Sequence, residues 1–175
     1  LVGGAVRDLM LHQVHGDPWR DLPDLDLVLE SSCVAFLHDL RQRLGPERVS
    51  EMHLHEQFGT AEATVDGVLL DLACARTDTY PAPGENPQVV EGTIEQDLAR
   101  RDFTVNAMAL MLRREGSQQL LDPHRGREHL AKRQLAFLHE ASVTDDPTRI
   151  LRGARYGARL GFHLAPEALA QIQST

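Results

Sequence analysis

Apolar positions recur along the chain with two different periods, and the changes of period mark the elements. Val6, Leu9 and Met10 follow the i, i+3, i+4 spacing of a helix that begins at about Ala5. The segment His15 to Pro23 loses that spacing and carries Gly16, Pro18 and Pro23, so it reads as a loop. From Asp24 to Glu30 polar and leucine positions alternate, which predicts a strand with Leu25, Leu27 and Leu29 on one face and Asp24 and Asp26 on the other. Val34, Leu37, Leu40 and Leu44 then give a second helix, capped by Ser31 or Ser32 and closed by Gly45-Pro46. Thr60 to Val65 and Val68 to Ala75 flank Asp66-Gly67, a dipeptide suited to a tight primed turn, and predict a hairpin. Thr79 to Asn86, with Pro81, Pro83 and Gly84 inside it and Pro87 next to it, cannot continue that sheet and reads as a loop. Met108 to Arg113 and Gln118 to Leu121 predict another hairpin around Glu115-Gly116. Near the end, Ile150, Leu151, Ala154 and Ala158 form the apolar stripe of a helix that Thr144 would cap, with Pro147 inside its first turn and Arg149, Arg152 and Arg155 opposite the stripe. The fold class expected is α+β: a small antiparallel-rich sheet with helices on one side.

Composition narrows this picture only a little. A chain of 175 residues with 42% hydrophobic content can bury one sizeable core and the beginning of a further element. Cys33 and Cys74 are its only cysteines and lack CxxC spacing, so buried thiols are expected rather than a disulfide framework or a zinc site. None of the nine histidines falls in a metal-binding spacing. With no apolar run of membrane length and no signal segment before the first motif, the expectation is a cytoplasmic protein without a membrane partner. The formal charge of −8 disfavours a general nucleic-acid surface and requires any positive charge used in binding to be local.

Local charge is what the motifs supply. Leu1-Val2-Gly3-Gly4-Ala5-Val6-Arg7-Asp8 leads from a strand through two glycines into a helix, whose first N–H groups and positive dipole end suit a phosphate. Asp24 and Asp26 project from one side of their strand, an arrangement that hard divalent ions such as Mg²⁺ relieve of its repulsion. Asp71 interrupts the apolar run Val68 to Cys74, and two readings stand: a third carboxylate of the site, or an exposed strand position facing water. Arg100-Arg101-Asp102 precedes an apolar turn that ends in Asn106, where guanidinium groups could meet an anion or form an ordinary surface cluster. Asp145-Asp146-Pro147-Thr148-Arg149 opens the arginine-bearing helix, which taken alone could equally be a plain amphipathic surface helix.

Together, and in this order, these motifs resemble the head of the class II tRNA nucleotidyltransferases, the family of CCA-adding enzymes and bacterial poly(A) polymerases, from Leu1 to about Phe162. The resemblance implies a polymerase-β-like nucleotidyltransferase head at residues 1–139, then the start of an all-helical neck at 140–175. The remaining neck, body and tail of such proteins would lie outside the chain, which accordingly reads as a catalytic fragment. By resemblance Asp24 and Asp26 hold two Mg²⁺ ions, and Asp71 helps activate the attacking hydroxyl. Gly3, Gly4, Arg7 and Asp8 belong to the triphosphate turn. Arg101 contacts the nucleotide, Asp102 orients its sugar and Asn106 supports the ribose hydroxyls. Asp146 and Arg149 read the base, and Arg152 and Arg155 reach the phosphates. Leu121 to Arg127 matches a connector between head and neck, and the family more often has Glu where Asp145 stands. The activity implied is template-independent addition of CMP, AMP or both, from CTP and ATP, to the 3′ end of tRNA. The alternatives are a poly(A) polymerase acting on RNA 3′ ends, or a nucleotide- or RNA-binding module without turnover.

Overall fold

Among the described residues the two largest hydrophobic clusters lie one beneath a four-stranded sheet and one around Phe103. The computed structural model describes residues 1–19, 24–55, 58–113 and 115–175; Asp24 is described in its backbone only. The end of the expected loop at residues 20–23 therefore lies outside the described residues.

The first core belongs to a four-stranded sheet. Strands β1 (Asp24–Leu29), β2 (Val49–His55), β3 (Thr60–Val65) and β4 (Val68–Cys74) lie in the order β1-β4-β3-β2, with β1 parallel to β4 and the other pairs antiparallel. One face packs against helix α2 (Cys33–Leu44), burying Leu37, Ala61, Ala63 and Leu72 with Leu27 and Leu29 beside them. Ser32 caps α2, its hydroxyl accepting from the Ala35 N–H at 3.2 Å, and Gly45 closes it as expected. The β3–β4 turn has Asp66 and Gly67 at φ 48° and 82°, the left-handed values that a primed turn requires. Arg48 holds that turn through two bonds to Asp66, of 2.9 and 2.6 Å. Strand β2 had no counterpart in the hydrophobic pattern, because its apolar Met52 and Leu54 alternate with histidines and are only half-buried.

A second hairpin, β5 (Arg76–Thr79) and β6 (Gln88–Glu91), forms its own small sheet, and the expected proline-rich loop is its connection. The second core gathers helix α1 (Gly3–His15), a 3₁₀ turn at Thr104–Asn106, the expected hairpin β7 (Ala109–Leu112) with β8 (Gln118–Leu121), and helix α4 (Gly126–Ala131). Helix α3 (Ile94–Ala99) leads into it, and the short strands β9 (Gln134–Leu135) and β10 (His163–Leu164) pair in parallel behind it. Phe103, Val105, Met108, Leu130 and Leu135 form its centre, joined by Val6, Leu11 and Phe162.

The last segment departs from the expectation in two ways. The expected single helix is two, α5 (Ser142–Asp145) and α6 (Thr148–Leu160), separated at an extended Asp146 with φ −138° and ψ 90°. Thr144 is thus inside α5 rather than a cap, and Asp146 itself caps α6, its Oδ1 accepting from the Thr148 N–H at 3.0 Å. The cause is Pro147, whose ring disfavours helical backbone at the preceding residue. The helix also turns its faces the other way. Arg149, Gly153 and Leu160 are buried, while Leu151 is 73% exposed and Ile150, Ala154 and Ala158 are exposed with it. Gly153 sits where a Cβ would be 3.2 Å from the Phe103 ring, so close approach of helix to core chooses the inward face. Helix α7 (Pro166–Ser174) follows, and among the described residues no helix is long and apolar enough to cross a membrane.

Candidate active site

The phosphate turn is shaped by contact as much as by backbone freedom. The Val2 N–H donates to the Asp26 carbonyl at 3.0 Å, which ties the start of α1 to β1. Gly3 has φ +66°, and a Cβ there would lie 3.1 Å from Arg101 Nη1 and 3.6 Å from Asp26 Oδ2. Glycine is what lets a carboxylate, a guanidinium and a helix N-terminus converge. No side chain caps α1, so its first N–H groups keep their capacity to bind an anion.

The carboxylates are placed by strand register alone. Asp26 lies opposite Asp71 across the parallel β1–β4 pair, and directly opposed residues share a face, here the one away from the leucines. Asp71 thus shares a sheet face with Asp26. Asp24 begins the same strand, opposite Leu69, and its side chain lies outside the described residues. Oxygen-only donors on adjacent strands, beside the phosphate turn, fit a hard divalent cation that shares its shell with phosphate and water.

Facing this row is a cavity of about 450 Å³ lined by five arginines (Arg76, Arg100, Arg101, Arg149, Arg152) and four aspartates (Asp26, Asp78, Asp102, Asp146). Helix α3 delivers the double arginine. A capping box of Thr93 and Gln96 starts it, and the fully buried Asp97 accepts from Arg100 Nη2 at 2.6 Å and from Arg101 Nη2 at 2.8 Å. Asp102 Oδ1 accepts from the Phe103 N–H at 2.7 Å and from Asn106 Nδ2 at 3.0 Å. The Asn106 carbonyl oxygen accepts from Arg7 Nη1 at 2.7 Å, so both ends of the amide are oriented. Asp146 accepts from Arg152 Nη2 at 2.8 Å and lies 3.8 Å from Arg149 Nε. Arg149 is 1% exposed and donates to the Arg100 carbonyl at 2.9 Å. Beside it His139 Nε2 is 3.5 Å from Arg149 Nη1, and burial, then the Arg149 charge, holds that imidazole below its ordinary value.

Of the candidate residues, Gly3, Gly4, Asp26, Arg101, Asp102, Asn106, Asp146, Arg149 and Arg152 line the cavity. Arg7 and Asp8 do not. Arg7 is 2% exposed, its Nε donates to Asp8 at 2.8 Å, and the pair supports Asn106 from behind. Arg155 lies on the exposed side of α6, with its guanidinium over the Tyr156 ring. Five lining residues had not been singled out as candidates, Arg76, Asp78, Tyr80, Pro87 and Tyr156, and the first three come from one strand and its end. Asp78 bridges Arg76 at 3.2 Å and Arg100 at 3.4 Å. The i, i+2, i+4 spacing of Arg76, Asp78 and Tyr80 after the buried Ala75 was the available signal, a polar strand face that runs from the end of the expected hairpin into the expected loop. Among the described residues, the buried Nε atoms of Arg76, Arg149 and Arg152 make no hydrogen bond of good geometry and meet Asp78, Asp146 and Asp102 only as ion pairs at 3.2, 3.8 and 3.5 Å, all at this cavity. A phosphate oxygen could complete the hydrogen bonding of these buried donors.

Known proteins resemble the chain in sequence and in fold. The chain is 42% identical to the CC-adding tRNA nucleotidyltransferase of Deinococcus radiodurans over 98% of its own length and 43% of that protein. It is 41% identical to the A-adding tRNA nucleotidyltransferase of Halalkalibacterium halodurans over 93% of its length and 36% of that protein. A solved structure of the Thermotoga maritima CCA-adding enzyme complexed with tRNA superposes with a TM-score of 0.77 at 32% identity, covering 99% of this chain and 36% of the other. An apo CCA-adding enzyme superposes with a TM-score of 0.87 at 34% identity, covering 99% of this chain and 38% of the other. The chain thus spans less than half the length of the relatives it matches. Residues 1–136 match the model of the poly A polymerase head domain, and the chain belongs to that family.

Proposed function

We propose that this chain is the catalytic part of a template-independent nucleotidyltransferase that adds CMP, AMP or both to the 3′ end of tRNA and releases pyrophosphate. The carrying observation is the meeting, at Gly3, of an uncapped helix N-terminus, Asp26 of the carboxylate row and Arg101 of the arginine-lined cavity. A triphosphate answers each: its oxygens accept from the helix N–H groups and arginines, and its α-phosphate is brought to the carboxylates. The names of the relatives support the same reaction.

On this reading Asp24 and Asp26 hold Mg²⁺ at a two-metal site, with Asp71 beside them. Divalent metal bound there supplies a lowered pKa for the attacking hydroxyl and charge neutralisation on the leaving pyrophosphate. The protein's own residues do the selecting. Asp146 only accepts and Arg149 only donates, which suits the amino group and ring nitrogen shared by cytosine and adenine, and opposes the polarity of uracil and guanine. Asn106, held by Arg7 and Asp102, faces the ribose. Residues 1–139 form the head and 140–175 the start of a helical neck, acting in the cytoplasm where tRNA ends are completed. The test is incorporation of labelled CTP and ATP into tRNAs ending before, within and after CC by the full-length protein with Mg²⁺. Incorporation that is confined to one or both of these nucleotides supports the reading, and no incorporation on any of these acceptors refutes it.

A further inference from the structure

A second cavity, of about 360 Å³, lies on the open face of the four-stranded sheet and shares Asp26 and Arg101 with the arginine-lined one. Its floor follows from register. Asp26 is opposite Asp71 and Asp71 is opposite Glu62, so three carboxylates cross β1, β4 and β3 in one row. The next row is Val28, Ala73 and Thr60. With strands about 4.8 Å apart, Glu62 stands roughly 10 Å from β1, one strand beyond Asp71. Its neighbours Ala61 and Ala63 are fully buried on the other face, so the strand cannot turn Glu62 inward. This cavity contrasts with its neighbour: one cation, three carboxylates and a small apolar floor. It repels a triphosphate and suits a nucleoside that offers hydroxyl donors.

We infer that this cavity takes the terminal nucleoside of the acceptor RNA, and that Glu62 accepts a hydrogen bond from its 2′-hydroxyl. The inference rests on the nucleotidyltransferase reading. With the incoming nucleotide among the arginines, the attacking 3′-hydroxyl must come from the other side of Asp26, where this cavity opens. The adjacent 2′-hydroxyl then points along the row of carboxylates, past Asp71 to Glu62. A carboxylate can only accept, and a deoxyribose end has nothing at that position to donate, so Glu62 becomes a specificity-determining residue for an RNA end. A purely structural role is the rival, because Glu62 also lies opposite His53 on β2 and the two could act only as a cross-strand pair.

Steady-state kinetics on the full-length protein, with acceptors ending in ribose or 2′-deoxyribose, separate the two roles. Wild type is expected to use the ribose end about tenfold better in kcat/KM, the size of one charge-assisted hydrogen bond. Glu62→Ala should remove that ratio and leave KM for the nucleotide unchanged. Glu62→Gln keeps an acceptor oxygen and should restore part of the ratio. A ribose preference that survives in Glu62→Ala overturns the inference, as does a wild-type ratio of one. Lowered thermal stability with an unaltered ratio assigns Glu62 to the His53 pair and overturns it as well. No incorporation by wild type on either acceptor overturns this inference together with the reading beneath it.

Discussion

The two walls of the site are held in place by different physics. The carboxylate wall is a row on a sheet: Asp26 and Asp71 are where they are because backbone pairing puts them opposite one another and leucines pack beneath. The arginine wall has no such lattice. Arg100 and Arg101 are fixed by buried Asp97, Arg152 by Asp146, and Arg149 by a carbonyl on another element. A repeating backbone ladder positions side chains without reference to their chemistry, so a carboxylate there can be neutralised without disturbing the frame. A network of ion pairs positions charges by means of other charges, and loses its geometry when one is removed.

The sharpest break of that contrast is Asp26→Asn. It should lower nucleotide incorporation by about a thousandfold, the scale of several kcal/mol expected for a lost metal ligand, while the thermal midpoint stays put. Incorporation at the wild-type rate would end the metal reading of this wall. Asp97→Asn is the counterpart on the other wall, where breaking a buried ion pair takes the carboxylate from Arg101 and leaves Arg100 with Asp78 alone. A loss of about 3 kcal/mol in chemical denaturation is expected, with a raised KM for nucleotide. An unchanged midpoint would show that the arginines hold themselves in place.

Within the arginine wall, Asp146→Ala should weaken preference for CTP and ATP over UTP and GTP by about ten- to hundredfold, since each polarity mismatch costs roughly 1 to 3 kcal/mol. Arg152→Ala should instead weaken triphosphate binding more than base choice, because Asp146 loses one ion pair but keeps its bond from the Thr148 N–H. Full discrimination by Asp146→Ala in a four-nucleotide competition would move base choice elsewhere. The smallest effect concerns His139, whose folded value lies below the ordinary 6.5 because it is buried beside Arg149. Below 6.5 the unfolded chain takes up the proton first, so stability should fall as pH drops through that value and on through the lower folded one. Denaturation midpoints measured across that range should vary less with pH in His139→Gln, and an equal slope would exclude this histidine.

The legibility of the molecule follows the same division. The Asp24-Leu25-Asp26-Leu27 alternation, the Asp66-Gly67 turn and the Ser32 cap could be read from the chain because each depends on neighbours a few residues away. Asp97 could not, since nothing local distinguishes a buried carboxylate that binds two arginines from a solvated one on a short helix. The break before α6 was legible in principle, because Pro147 restricts the residue before it.

Sequence by itself determined the strand that carries Asp26, the glycine turn beside it and the residue types of both walls, because alternation, helix starts and turn chemistry act over a few residues. Only the tertiary structure decided which face of α6 points inward, that Arg7 and Asp8 support rather than line the cavity, and that Arg76, Asp78 and Tyr80 complete it. The hydrophobic stripe of α6 is as amphipathic facing outward as inward. What chose its orientation was the close approach of Gly153 to Phe103 and the burial of Arg149 against the Arg100 carbonyl, contacts between residues 49 to 50 positions apart that no local pattern encodes.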